Sequence, residues 1–140
     1  WKEVGGKDGK IVVVSRDSSS GTFECWNELI MKKERVAPSA LMQASNGAVV
    51  QAIAKNPNAI GYASLSAVEG KDTVKAVTVG GVACTEATVL DGSYAIQRPF
   101  VLVTKDGTAL SPAAQAFFVF ATSKDAASLI QNAGAVPTAK

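Results

Sequence analysis

Short apolar runs alternate with polar turns along the first half of the chain. Residues 11–14 form a β-branched run typical of a buried strand, and residues 22–35 repeat apolar side chains at helical spacing. A short extended piece at 41–44, a second helix from Ser45 and another strand at 60–63 follow. Strands that alternate with helices predict an α/β fold, with a mixed or largely parallel sheet flanked by helices.

The second half of the chain has a less regular pattern. It predicts a strand at 75–79, a brief helix at 85–90 and the longest strand at 94–105. Two helices close the chain, one that Ser111 opens and one at 124–132.

The composition is that of one folded domain. Of the 140 residues, 47% are hydrophobic, which is sufficient for a core. The net charge of +2 is too small for a nucleic-acid-binding surface, and no apolar run has the length of a membrane helix. The chain begins at Trp1 without a leader, so we expect either a cytosolic protein or a piece of a longer one that carries a targeting segment elsewhere.

The scarce residue types exclude several kinds of chemistry. Histidine is absent, which removes Ser-His and Cys-His nucleophile pairs and the commonest metal ligand. We expect no metal site and no cofactor, and the carboxylates show no spacing that marks a catalytic pair. Cys25 and Cys84 either form a disulfide in an oxidising compartment or remain separate, partly buried thiols, which is the favoured interpretation.

The stretch VSRDSSSGTF, residues 14–23, lies between the first predicted strand and the first predicted helix. A helix start leaves backbone N–H groups unpaired and carries about half a positive charge. Ser20 and Gly21 are small enough to let an anion approach these groups, and Arg16 offers a planar fork that suits an oxyanion. The alternative is a serine-rich loop in which Ser20 only caps the helix and Arg16 contacts Asp17 or solvent.

Five motifs carry a resemblance to a known family. They are WKEVGG, IVVVSRDSSSGT, SNGAVVQAIAKNPNAIGYASL, YAIQRPFVLVTK and AFFVFATSKDAASLIQNAGAVP. Each motif is weak alone, but in this order and spacing they resemble the C-terminal half of bacterial phosphate-binding proteins, the solute receptors of phosphate ABC transporters. The resemblance implies a fold like that of type II periplasmic binding proteins, of which this chain would carry one lobe.

In such receptors the loop after the apolar strand binds phosphate. The resemblance implies side-chain contacts from Arg16, Ser20 and Thr22, and backbone N–H contacts from Gly21 and Thr22. It implies no catalytic residue, because these receptors bind their ligand without chemical change.

The loop departs from the family pattern at two positions. The aspartate that usually braces the arginine is Ser18 here, with Asp17 beside it, and the glycine before the binding serine is Ser19. We assign Asp17, Ser18 and Ser19 a supporting role. The bracing of Arg16 stays open, because either Asp17 replaces the usual aspartate or the ligand alone holds Arg16.

The resemblance also divides the chain. Residues 1–96 correspond to the second lobe, and residues 97–140 to a segment that returns to the first lobe. That first lobe supplies a further anion-binding loop and a carboxylate that accepts a hydrogen bond from protonated phosphate. Without it, the returning segment repacks, exposes apolar surface or pairs with a second copy of the chain through its FVLV edge.

The first functional hypothesis is the substrate-binding component of an ABC importer, with inorganic phosphate and the permease subunits as partners. A second is a receptor-like sensor, or a protein that binds another oxyanion such as sulfate or molybdate. A serine hydrolase that uses Ser20 is less favoured, because GxSxG and a neighbouring base are missing. The family implies an extracytoplasmic location, either the periplasm or the surface of a Gram-positive cell as a lipoprotein.

Further residues have a favoured interpretation, and for Asn46 and the aromatic side chains an alternative stays open. Asn46 either belongs to a plain capping turn, which is favoured, or faces the cleft. Trp26 and the phenylalanines at 117–120 either pack in the core, which is favoured, or form a partner surface. Tyr62 is expected to be an ordinary half-buried residue, and Arg98 a surface arginine at a hinge.

Overall fold

The computed structural model describes residues 1–138, and its centre is a three-stranded sheet. The strands are β1 (Val12–Arg16), β2 (Leu41–Gln43) and β3 (Ala59–Gly61), in the order β2-β1-β3. Both pairings are parallel, with Val14 opposite Leu41 and Val12 opposite Ala59. The carboxyl ends of all three strands therefore meet at one edge of the sheet.

Helices follow the strands as predicted, which confirms the α/β architecture. They are α1 (Gly21–Leu29), α2 (Asn46–Ala54), α3 (Leu65–Val68), α4 (Glu86–Leu90), α5 (Pro112–Ala121) and α6 (Ala127–Asn132). Short 3₁₀ turns lie at Lys2–Val4 and Lys124–Ala126. Four helices begin after a hydroxyl residue that accepts a hydrogen bond from the third helical N–H, namely Ser20, Ser45, Thr85 and Ser111.

The core lies where α2 packs on β1 and β3. Val14 of β1 and Val49 of α2 are fully buried, and each such side chain contributes about 1.5–3 kcal/mol to folding. Gly61 allows this close packing, because a Cβ there would lie 2.5 Å from the carbonyl oxygen of Val14 and 3.2 Å from Cδ1 of Ile53. This compact region positions the ends of β1, β2 and β3.

The first helix is shorter than predicted. The sequence predicted a helix to residue 35, but α1 ends at Leu29. Lys32 and Lys33 have φ values of 49° and 66°, and this left-handed backbone cannot continue a right-handed helix. Apolar spacing alone did not reveal this stop, because no glycine or proline precedes it.

Two predicted strands were wrong. Within the described residues, 75–79 contain only one end of an isolated bridge between Val79 and Val82, and 94–105 form no strand. Every residue from 97 to 109 is exposed. A strand needs a neighbour for its backbone hydrogen bonds, and the described part of the chain offers none to this segment.

The expected core packing of the aromatic cluster at 117–120 was also wrong. Phe117 is 63% exposed and Phe120 is 43% exposed, because among the helices, strands and turns of residues 1–138 α5 packs only on the turn at Lys124–Ala126. The chain exposes 10210 Å², whereas a folded monomer of 14.4 kDa exposes about 6,800 Å². The last two residues of the segment predicted at 97–140 lie outside the described residues.

Candidate functional site

The loop from β1 to α1 presents the start of a helix at the carboxyl edge of the sheet. Ser20 is almost fully buried, and its hydroxyl accepts a hydrogen bond of 3.3 Å from the N–H of Phe23, which confirms it as the N-cap. The N–H groups of Gly21 and Thr22 lie in the first turn, where a helix offers no internal acceptor. Two backbone donors are thus available for an anion at this point.

Arg16 lies beside this helix start and is held by a set of acceptors. Its Nε donates to the carbonyl of Gln43 at 3.1 Å, and its Nη1 to Oδ1 of Asn46 at 2.7 Å. Its Nη2 donates to the carbonyl of Ala44 at 3.2 Å and to Oδ2 of Asp17 at 3.4 Å. Four of the five guanidinium N–H groups therefore have partners, and one on Nη1 remains for a ligand.

This geometry answers the question of how Arg16 is braced. The protein alone restrains the guanidinium, so the alternative in which only a ligand holds Arg16 does not apply to this structure. Asp17 contributes one long contact, whereas Asn46 makes the shortest one. The two carbonyls belong to the last residue of β2, Gln43, and to Ala44 directly after it, and no sequence motif marked them.

Asp17 is occupied mainly by its own loop. Its Oδ1 accepts from the N–H of Ser19 at 3.1 Å and also from the hydroxyl of Ser19. The Ser19 hydroxyl, more than the Arg16 charge, holds the pKa of Asp17 below its usual value. Asp17 and Ser19 thus shape the loop, while Ser18 is exposed and makes no side-chain hydrogen bond within the described part of the chain.

Asn46 connects three elements at the site, which the favoured sequence interpretation missed. Its Nδ2 donates to the hydroxyl of Ser64 at 3.0 Å and to that of Thr22 at 3.4 Å. Ser45 caps α2 by accepting from Ala48, so Asn46 is free to turn toward Arg16. The signal was available in the sequence, because Ser45 and Asn46 are both capping residues and a helix needs one.

Tyr62 supports the site from the end of β3. Its hydroxyl lies 2.9 Å from that of Ser15 and accepts from the backbone N–H of Arg16 at 3.3 Å. Its ring stacks on Trp26 of α1, with centroids 4.7 Å apart and planes inclined by 7°. Tyr62 is half-buried as expected, but it also ties β1, β3 and α1 together.

Arg98 brings the second half of the chain to the first turn of α1. Its Nη1 donates to the carbonyl of Gly21 at 2.8 Å and to Oε2 of Glu24 at 3.0 Å. The side chain is 47% exposed, so this ion pair is open to solvent. Arg98 is thus a surface arginine, as expected, but one with a defined contact at the site.

The charges at the site nearly balance. Asp17 faces Arg16, and Glu24 faces Arg98. The helix start therefore offers oriented donors rather than an excess of positive charge. Among the described residues the hydroxyl of Ser20 accepts from the N–H of Phe23, and no basic side chain contacts it.

Two other features concern chemistry rather than anion binding. Cys25 and Cys84 are free and partly buried in the structure, as the favoured interpretation expected, and burial raises the pKa of both thiols. No group of three or more His, Cys, Asp or Glu side chains within residues 1–138 could hold a metal ion. None of the described helices is both long and apolar enough to span a bilayer.

The comparisons with known proteins agree on the family to which the chain is similar. The model of the PBP superfamily domain matches residues 1–125. A phosphate-binding protein, PstS 2, from Streptococcus pneumoniae is 38% identical over 132 residues, which cover 89% of this chain and 44% of that protein. The chain thus spans about half the length of this relative.

Solved structures agree with the sequence relatives. An ABC-type phosphate transport receptor from Vibrio cholerae is 33% identical with a TM-score of 0.81, covering 96% of this chain and 55% of that one. A putative phosphate ABC transporter substrate-binding protein from Clostridium perfringens, solved with bound phosphate, is 36% identical. Its TM-score is 0.80, with 94% of this chain and 54% of that chain covered.

Proposed function

The chain belongs to the PBP superfamily domain family, and from that premise we propose that it is part of the substrate-binding component of a phosphate ABC importer. Inorganic phosphate is the ligand, and the permease subunits of the transporter are the partners that read the loaded receptor. The protein acts outside the cytoplasm, in the periplasm or as a surface lipoprotein. Relatives that are named for phosphate binding and phosphate transport support this proposal.

The observation that carries the proposal is a restrained arginine beside an open helix start. We assign the phosphate contacts to the side chains of Arg16, Ser20 and Thr22 and to the N–H groups of Gly21 and Thr22. The Ser20 hydroxyl accepts from Phe23, so its own proton is available to the ligand. All these groups donate, which suits the acceptor oxygens of an inorganic oxyanion.

We further propose that residues 1–96 are one lobe of the receptor and that residues 97–140 pack on the other lobe. The described part of the second segment supports this division. Its residues 97–109 are all exposed, including Phe100 and Val103 at 89% and 87%. The surface in excess of a folded monomer, about 3,400 Å², is at least as large as the share that one partner contributes to an obligate interface.

Phosphate titration by calorimetry on this chain tests the ligand, with sulfate and molybdate as competitors. Arg16→Ala tests the site, and Arg35→Ala is the matched control because Arg35 is exposed and outside the hydrogen bonds described above. We expect weak, phosphate-selective binding that Arg16→Ala abolishes and Arg35→Ala keeps. Equal competition by sulfate and molybdate would favour a general oxyanion site instead.

Two further readouts separate the remaining hypotheses. Turnover of a generic phosphate ester would contradict a pure binding function. Light scattering at rising protein concentration measures self-association. This is the alternative in which the exposed segment pairs with a second copy of the chain. The C. perfringens relative, solved with phosphate, is the positive control for the titration.

A further inference from the structure

The amide of Asn46 connects the two side chains that we assign to phosphate from opposite sides of the site. Its Oδ1 lies 2.7 Å from Nη1 of Arg16, and its Nδ2 lies 3.4 Å from the hydroxyl of Thr22. A second bond from Nδ2, of 3.0 Å, goes to the hydroxyl of Ser64 at the start of α3. One side chain of α2 thus contacts groups from β1, α1 and the start of α3.

The direction of these hydrogen bonds follows from the chemistry of Arg16. A guanidinium only donates, so the atom of Asn46 that faces Arg16 has to be the acceptor oxygen. The NH₂ group of the amide is then fixed on the other side, where it donates to Thr22 and Ser64. A hydroxyl that accepts such a bond keeps its own proton for a different acceptor.

We propose that Asn46 is a positioning residue that makes the site donor-only. Its Oδ1 restrains Arg16. Its Nδ2 donates to the Thr22 hydroxyl and so orients the Thr22 proton toward the bound anion. The Ser64 hydroxyl, which accepts from the same amide, lies 3.1 Å from the hydroxyl of Ser66, and either of these two oxygens can donate in that bond. This inference rests on the proposed function. It identifies the residue that sets the preference of the site for ligand oxygens that accept hydrogen bonds.

The nearly isosteric variant Asn46→Asp tests the direction of the bonds. Its carboxylate would accept from both Arg16 and Thr22, so the Thr22 proton would turn away from the anion and the Arg16 charge would be neutralised. We expect phosphate affinity about 100-fold below that of the parent at pH 8. Asn132→Asp, an exposed position at the end of α6, is the matched control for the added charge and should bind like the parent.

The pH dependence provides a readout that a purely structural role would not change. The charged groups at the site are Arg16 and Asp17 at the end of β1 and Glu24 of α1 with its partner Arg98, whereas the contact at the start of α3 is the Ser64 hydroxyl. Protonation of the new carboxyl removes its charge and restores a donor. A bound anion beside the new carboxyl favours its protonated form, so the deficit of Asn46→Asp relative to the parent should shrink as the pH falls from 8 to 4.5, and the ratio at each pH cancels the titration of phosphate itself.

A double-mutant cycle tests the link to Thr22. Asn46→Ala and Thr22→Val should each weaken binding about tenfold, and the double variant should be clearly less than 100-fold weaker, since both changes remove the same directed proton. Thermal unfolding of each variant confirms that it is folded.

The outcomes distinguish this inference from the proposed function. Additive effects, a deficit that does not change with pH, or Asn46 variants within twofold of the parent would overturn the role of Asn46 while the parent still binds phosphate. A parent chain that binds none of the three oxyanions under any of these conditions would overturn both.

Discussion

The region around the sheet and the segment after residue 96 contrast in how their polar and apolar groups are satisfied. In the first region, Arg16 has four hydrogen bonds, Asn46 has three, and Val49 is fully buried. In the second, residues 97–109 are exposed throughout and Phe117 is 63% exposed. The first region is organised by its own contacts, whereas the second has the composition of a buried structure without the contacts that would bury it.

The difference between the two regions shows which contacts specify the fold. β1, α2 and β3 pack on one another within about 50 residues of sequence, so their contacts form inside this chain. The FVLV run lacks a neighbouring strand among the described residues, which is what a segment built to pack on another lobe would show. The residues of the proposed anion site lie in the first region, and Arg98 of the second region contacts them.

The largest expected effect is the loss of ligand binding in Arg16→Ala. Removing the guanidinium removes the fixed charge and the remaining N–H donor, and we expect phosphate affinity to fall at least about 100-fold. Isothermal titration measures it, and Arg16→Lys separates charge from geometry, because a single ammonium nitrogen cannot reach the four acceptors that the planar guanidinium contacts. Full affinity in Arg16→Lys would show that charge alone is sufficient.

The next effect tests the packing of the first region through Gly61→Ala. The added Cβ would meet the Val14 carbonyl oxygen at 2.5 Å, and backbone cannot yield as a side-chain end can. We expect the free energy of unfolding to fall by roughly 2–4 kcal/mol in urea titrations. Gly47→Ala is the matched control, because that position is helical and open, and it should be neutral or more stable by about 0.5–1 kcal/mol.

The same contrast explains which features could be predicted from the sequence. The first β-branched run, the N-cap at Ser20 and the alternation of strands with helices are local features, and the structure has all three. The end of α1 was not predictable, because left-handed backbone at Lys32 and Lys33 has no compositional mark. The strand at 94–105 was mispredicted because a pattern of apolar residues specifies burial but cannot supply the partner.

The residues of the candidate site also divide into those that the sequence could indicate and those that it could not. The loop residues Arg16, Ser20, Gly21 and Thr22 were singled out by residue type and by resemblance, and their contacts with phosphate remain predictions. The favoured interpretation of Asn46 missed its contact with Arg16, and the carbonyls of Gln43 and Ala44 were not predicted, because these two reach Arg16 only when β2 pairs with β1. A carbonyl acceptor also carries no signature in the sequence, since every residue has one.

A pair of valine truncations measures the contrast directly. Val49→Ala removes methyl groups from a fully buried position and should reduce the free energy of unfolding by about 1–3 kcal/mol. Val103→Ala, at a position that is 87% exposed, should change it by less than about 0.5 kcal/mol in this chain. Urea unfolding by circular dichroism provides both values. If Val103→Ala were the costlier change, the segment would be packed in solution and the comparison between the two regions would fail.

The smallest expected effect concerns Arg98, the residue of the second region that donates hydrogen bonds to the first turn of α1. Its contacts with the Gly21 carbonyl and Glu24 hold a cation beside the proposed anion site, so Arg98→Gln should weaken phosphate binding about two- to fivefold. The pair is exposed and therefore screened, so the difference from the parent should shrink as NaCl rises from 20 mM to 500 mM. Glu24→Gln is the opposing variant: removing its carboxylate leaves Arg98 uncompensated and should strengthen binding by a similar factor. An Arg98→Gln deficit that stayed constant with salt would mean that Arg98 acts by positioning the Gly21 backbone, so that the second region shapes the site mechanically rather than through its charge.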